Sequence, residues 1–329
     1  MDPLSFFDLL DGRIASLAPG LAGLAYALRG LDLAVLDLAG KMLGKTVAAL
    51  LGPPAREAVE AYDSTIYFED LLEGGDLEGY PFGGGAPMDR IARKTDWVVR
   101  TRGLRALKVK VGRPGRLKDP GAVRTDIAAV LAAREAAGPE ARILVDANDG
   151  YGTDDALART FLDGVRAAGV ELAEELFPET PERLGALRNW MGREGVALAL
   201  ADGETQPNFS DEWVAGFLGT GLLDVAQPDL IDHGILGVMR WARAAARHGR
   251  RVVCHNFGNR MGVVGSVHVA TACANSDLIE ADDAEFPALR ADGIRLDQGR
   301  FRLAGAPGLG VEVSDGAVAG CERLWEVCA

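Results

Sequence analysis

The run ALKVKVG at residues 106–112 decides how this chain folds. Leu107, Val109 and Val111 alternate with Lys108 and Lys110, so a strand here sets three apolar side chains against two lysines on the opposite face. On a surface edge strand such lysines would simply be solvated. In a parallel sheet covered by helices the apolar face packs outward on the helices and the lysines are forced inward. Seven further runs read as strands: AVEAYDSTIYF (58–68), RILVDAND (142–149), VELAEEL (170–176), VALALADGE (196–204), LLDVAQPD (222–229), RVVCHNF (251–257) and DLIEADD (277–283). Stretches such as 88–102, 121–137 and 235–248 lie between them with apolar residues at helical spacing. The evenness of this alternation predicts an α/β fold, a TIM-type (β/α)7β barrel, in preference to an open doubly wound sheet.

A barrel gathers the C-terminal ends of its strands on one face, where active sites are built. Asp146, Glu174, Glu204, Asp229, His255 and Glu280 stand at such ends. Three carboxylates on consecutive strands (Asp146, Glu174, Glu204) form an all-oxygen set suited to a hard cation such as Mg²⁺. Each alone could merely cap the next helix. His255 follows an apolar run, and Asp229 ends the strand before it. A carboxylate on one ring nitrogen fixes the tautomer and raises the basicity of the other.

Lys108 and Lys110, two residues apart on one strand face, have α-carbons about 7 Å apart. At an effective dielectric near 20 their charges repel by about 2.4 kcal/mol, which predicts a lowered pKa for one of them, towards the range of a general base. Only six lysines (41, 45, 94, 108, 110 and 118) occur against 29 arginines. Arginine cannot give up its proton at ordinary pH, so lysine here is expected where proton chemistry requires it.

Composition narrows the partners. The chain has 329 residues, is 48% hydrophobic, and carries 48 acidic against 35 basic residues, a net charge of -13. No basic cluster interleaves with aromatics, which argues against nucleic acid. No apolar run approaches the roughly 20 residues of a membrane span, and the N-terminus lacks a basic leader, so a cytoplasmic protein is expected. Cys254, Cys273, Cys321 and Cys328 lack CxxC spacing and read as reduced thiols.

Taken in order, LDLAVLDLAGKMLGK, LKVKVGRP, LVDAND, AEELFPE, ADGET, QPDL, VCHNFGN, LIEAD and APGLGVEV resemble the mandelate racemase branch of the enolase superfamily (the mandelate racemase/muconate lactonizing enzyme-like proteins) over nearly the whole chain. The resemblance implies Mg²⁺ at Asp146, Glu174 and Glu204, with Lys110 and the His255–Asp229 pair as acid/base catalysts on opposite sides. It also implies a cationic Lys108 beside the substrate carboxylate, Asn148 and Glu280 as substrate-binding groups, and Glu280 hydrogen-bonding a developing enediolate. A Lys or His base with Mg²⁺ is the superfamily's known combination. Residues 1–56 would be a helical remnant of a truncated N-terminal capping domain, 57–286 the catalytic barrel, and 287–329 a segment packing back on the cap. Relatives usually have Glu-x-Pro at the fourth strand. Here Glu174-Glu175-Leu176-Phe177-Pro178 has an extra residue, which leaves Glu175 as an alternative ligand.

The activity implied is Mg²⁺-dependent removal of the proton alpha to a carboxylate, with dehydration of an acid sugar to a 2-keto-3-deoxy acid first, racemisation or epimerisation of a 2-hydroxy acid second, and a non-catalytic metal-binding barrel third. A small carboxylate is the expected partner, and a homo-oligomer is expected.

Overall fold

The computed structural model describes residues 22–67, 81–112, 120–281 and 286–319. Residues 1–21, Lys118, Cys321 and Cys328 lie outside them. Two helices come first, α1 (Ala22–Leu43) and α2 (Val47–Leu51), the latter capped by Thr46, whose hydroxyl accepts the Ala49 N–H. The alternating part follows: β1 (Val59–Ile66), α3 (Pro87–Arg100), β2 (Ala106–Lys110), α4 (Pro120–Ala137), β3 (Arg142–Asp146), α5 (Asp155–Gly164), β4 (Val170–Glu174), α6 (Pro181–Glu194) and β5 (Ala199–Asp202). After a short helix α7 (Asp211–Trp213) come β6 (Val225–Ala226), α8 (Leu230–Ala246), β7 (Arg251–Val252), α9 (Arg260–Ala272) and β8 (Leu278–Ala281).

The helices start where their sequences place caps. Asp154 accepts the Ala156 and Leu157 N–H groups, Thr180 that of Arg183, and Asn259 those of Met261 and Gly262. Pro87 and Pro181 occupy first turns, where the missing N–H costs nothing.

Strands β1 to β7 pair in sequence, each parallel to the last, and β8 returns to pair in parallel with β1 from Glu60↔Leu278 to Asp63↔Ala281. One residue from each strand or its immediate continuation (Tyr62, Ala106, Leu144, Leu172, Ala201, Val225, Val253, Leu278) meets the others in an apolar cluster separate from the main core. Eight contributions from eight strands are what a filled barrel interior requires. The main core lies outside, where Leu107, Val109 and Val111 join Ile143, Val145 and the inner faces of the helices. The outward-apolar, inward-lysine reading of residues 106–112 therefore matches the packing.

Beyond β8 the described residues 286–319 form further elements. Strands β9 (Leu289–Arg290), β10 (Ile294–Asp297), β11 (Arg300–Leu303) and β12 (Glu312–Val313) precede helix α10 (Asp315–Ala319). The β10–β11 hairpin joins the start of β1 antiparallel, through Val59↔Phe301 and Glu60↔Arg300. Farther on, the Gly308 N–H donates to Lys45 O at 2.8 Å and the Leu309 N–H to Asp37 Oδ1 at 2.8 Å, tying the tail to the N-terminal helices. Among the described residues no helix is long and apolar enough to cross a membrane. Cys254 and Cys273 are buried free thiols.

Candidate active site

Strand register aligns the chemistry. Lys110 pairs with Asp146 and Asp146 with Glu174, so three ionisable residues form one row across β2, β3 and β4. Asp229 and His255 form a parallel bridge just beyond β6 and β7, and Tyr62 of β1 pairs with Glu280 of β8. Lys108, Lys110, Asp146, Asn148, Glu174, Glu204, Asp229, His255 and Glu280 are thereby all brought to one end of the barrel.

Lys108 is wholly buried. Its Nζ lies 2.8 Å from Glu174 Oε2, 2.8 Å from Glu280 Oε1 and 3.3 Å from Asp146 Oδ2, with the Tyr62 ring 5.5 Å away. Burial pushes its pKa down, but Glu174 and Glu280 outweigh burial and the ammonium is held well above its ordinary range. Having no exposed surface, Lys108 acts on its surroundings through its charge. Glu280 is equally enclosed, with Oε1 on Lys108 and Oε2 accepting the Asn256 N–H at 3.1 Å. Tyr62 and Asn256 were not singled out from sequence, because neither side-chain type signals a role of this kind.

Lys110 has an exposed edge and contacts Asp146 Oδ2 and, at 2.9 Å, Asn148 Oδ1. The expected downward pull is present, since burial and the Lys108 charge both lower its pKa. The outcome is the reverse of the expectation. Asp146, Glu174 and Glu204 together outweigh both, and the pKa is raised. A two-lysine calculation omits the carboxylates that the fold packs around the pair.

The loop after β3 and the end of β4 depart from strand geometry. Asn148, Asp149 and Glu175 all take positive φ, of 42°, 59° and 43°. Left-handed backbone is costly for side-chain-bearing residues and is found where local structure over-determines it. Here it turns the Asn148 amide across the site, donating to Glu175 Oε2 and Glu204 Oε1 at 3.2 Å each. It also breaks side-chain alternation at β4, so Glu174 and Glu175 are both buried on different neighbours. Glu174 faces Lys108, and Glu175 faces Asn148.

At the other side, His255 Nδ1 lies 2.7 Å from Asp229 Oδ2 and Nε2 lies 2.9 Å from Glu204 Oε2. Burial opposes the charged imidazole, but these two carboxylates overcome it and push the pKa up to about 11. Glu204 responds in kind, with burial outweighed by His255 and its pKa lowered.

Oxygens of Asp146, Glu174 and Glu204 all lie within 4.8 Å of one another. Glu175 is not in that group. Glu174 Oε1 is buried with no hydrogen-bond partner among the described residues, an orphan acceptor at the centre of the cluster. Burial first, and then neighbouring carboxylates, push Glu174 up to about 8 and Glu175 up to about 9. When ionised, Asp146, Glu174, Glu175, Glu204, Asp229 and Glu280 face three cations (Lys108, Lys110, His255), an excess of negative charge that a divalent ion would reduce. A compact, all-oxygen, cation-deficient set fits Mg²⁺.

The family model described as "Enolase C-terminal domain-like" matches residues 90–317. The chain is 29% identical to the D-galactarolactone cycloisomerase of Agrobacterium fabrum over 306 residues, covering 89% of this chain and 72% of that protein. It is 30% identical to a hydrophobic dipeptide epimerase of Citrifermentans bemidjiense over 322 residues, covering 93% and 77%. Among solved structures, a galacturonate dehydratase mutant from a Geobacillus species, complexed with Mg, superposes with a TM-score of 0.74 at 29% identity, covering 87% of this chain and 72% of that one.

Proposed function

This chain belongs to the enolase C-terminal domain-like family of the enolase superfamily, and from that premise we propose that Lys110 and His255 carry the two proton transfers of an acid-sugar dehydratase. The observation that carries the reading is their placement at the two ends of one carboxylate cluster, with Lys110 against Asp146 and His255 Nε2 against Glu204. Mg²⁺, held by Asp146, Glu174 and Glu204, would supply Lewis-acid polarisation of the substrate carboxylate.

Lys110 Nζ, steered by Asn148 Oδ1, takes the alpha proton in its neutral form, which a cation held by Asp146, Glu174 and Glu204 would favour by offsetting the carboxylates that raise its pKa. The C–H electron pair passes into the carboxylate as an enediolate and returns to expel the beta-hydroxyl. His255 Nε2, with Nδ1 held by Asp229, gives that leaving group its proton so that it departs as water. The enol left behind tautomerises to a 2-keto-3-deoxy acid. Lys108 holds a fixed positive charge behind the reacting carboxylate, and Glu280 fixes Lys108.

The assignment of Glu174 over Glu175 as ligand rests on the oxygen grouping. The division at residues 56 and 286 belongs to the same proposal, supported by the bonds of the tail's Leu309 to Asp37 in α1 and Gly308 to Lys45 in the turn after it.

The test is a panel of mono- and diacid sugars assayed for 2-keto products, before and after chelation. Product formation that is lost on chelation and restored by Mg²⁺ supports the reading, and no restoration is expected in Glu204→Ala. Full activity after exhaustive chelation contradicts it. The relation to a dipeptide epimerase favours a second reading, in which the intermediate is reprotonated on its opposite face. A changed optical rotation without a keto product would identify it.

A further inference from the structure

Helix α8 is two helices joined at a break. Its first turn is capped by Asp229, whose Oδ1 accepts the Ile231 and Asp232 N–H groups at 2.8 and 2.9 Å while Oδ2 holds His255. At Gly234 the backbone leaves the helix, with φ 69° and ψ 171°, and helical geometry resumes beyond it. A restarted helix exposes new N–H groups that need acceptors. The acceptor comes from α1: the Leu236 N–H donates to Asp32 Oδ2 at 2.8 Å. The fit is close, because a Cβ on Gly234 would lie 2.4 Å from that oxygen. Only glycine takes this positive φ against a carboxylate at such a distance.

In an unbroken helix the Leu236 N–H would bond to Asp232 O, four residues back. Asp32 supplies the competing acceptor. Without it the Leu236 N–H regains a partner only if α8 straightens through Gly234, which turns the first helical turn and Asp229 with it. That turn is also tied to the site by the Leu230 N–H donating to His255 O at 3.3 Å, and by His233 Nε2 at 2.9 Å from Gln206 O, in the loop that carries Glu204.

We propose that Asp32 is a positioning residue for the Asp229–His255 pair, acting through the break in α8. The inference rests on the assignment of that pair as the second proton-transfer site. Burial pushes the Asp32 carboxyl up to about 7 against the lowering effect of the Leu236, Leu33 and Ile235 backbone N–H groups. An uncharged acceptor of the same shape therefore suits the place, and Asp32→Asn should serve where Asp32→Ala does not.

The test uses full-length metal-free protein with ¹⁵N-labelled histidine, of which there are four. Asp32→Ala should shift the His255 ring nitrogens towards their positions in Asp229→Ala, whereas Asp32→Asn should leave them at wild-type positions. Leu36→Ala, which removes a buried side chain from the same helix, should lower Tm without moving them. In turnover assays, Asp32→Ala should lose about tenfold or more while alpha-proton exchange falls less than about threefold, a split that general instability does not produce.

Unmoved His255 signals in Asp32→Ala, or equal shifts in Leu36→Ala, overturn the proposal. If Asp32→Ala does not fold, Asp32→Glu, which displaces the acceptor by one methylene, is read against the same two outcomes. The spectra need neither metal nor substrate, so they judge the positioning even if His255→Asn proves fully active and removes the catalytic assignment.

Discussion

Replacing Lys108 by methionine removes the charge at the centre of the site while nearly preserving its volume. The lysine has no exposure and two carboxylate oxygens at 2.8 Å, so its loss leaves Glu174 and Glu280 buried without their principal counter-charge. Removing one partner of a buried ion pair costs about 3–5 kcal/mol. An independent bound agrees: a stranded carboxylate escapes by taking a proton, which at pH 7 costs about 3.5 kcal/mol for a group of ordinary pKa. At about 2–4 °C per kcal/mol, metal-free Lys108→Met should melt about 6–20 °C below wild type at pH 7.

The pH dependence follows from the sign. A carboxyl whose folded pKa is raised contributes stability below its unfolded pKa and loses it as pH rises, so the deficit should shrink by about 1–3 kcal/mol between pH 7 and pH 5. Calorimetric melting of both proteins at the two pH values measures this. A variant within about 1 kcal/mol of wild type at both values would show that the carboxylates do not depend on Lys108.

Glu174→Gln should weaken Mg²⁺ binding by more than about a hundredfold in titration calorimetry and Glu175→Gln by less than about tenfold; the reverse order would move the ligand to Glu175. His255→Asn should keep alpha-proton exchange while losing net dehydration, and parallel loss of both would remove the division of labour. His268 accepts the Ala48 N–H on Nδ1 at 3.1 Å and has Nε2 3.3 Å from Leu309 O, and burial pushes its pKa down to about 4. Between pH 6.5 and 4 the unfolded chain binds a proton that the folded one refuses, so this group's contribution falls as pH drops, by roughly 3 kcal/mol in all. Asp32, raised to about 7, has the opposite slope over pH 4 to 7, so the readout is the difference between wild type and His268→Gln in denaturant melts. An unchanged slope in His268→Gln would refute it.

The barrel was legible because period-two alternation at residues 106–112 and the even strand spacing are local properties of the chain. The convergence of Asp146, Glu174, Glu204, Asp229, His255 and Glu280 was legible for the same reason, since each stands at or just beyond the C-terminal part of a strand and a barrel sends those ends to one face. What depended on distances through the barrel was not. The direction of the Lys110 pKa turned on carboxylates from neighbouring strands, and the burial of Glu175 turned on a left-handed φ that its residue type gives no reason to expect. Asp32 lies 204 residues from the N–H it caps, beyond the reach of any pattern reading. The β10–β11 hairpin on β1 was likewise hidden, because its sequence only signalled a Gly-rich tail.

The most direct test of the account follows alpha-proton exchange in D₂O, with Mg²⁺ present, across the acid-sugar panel. Wild type should incorporate deuterium at the alpha carbon, or into product, for at least one acid. Lys110→Ala should lose that exchange by about 10²–10⁴-fold, the usual worth of a positioned general base. Wild-type exchange and turnover in Lys110→Ala would contradict the assignment and leave Lys110 as a lysine that binds carboxylates rather than one that moves protons.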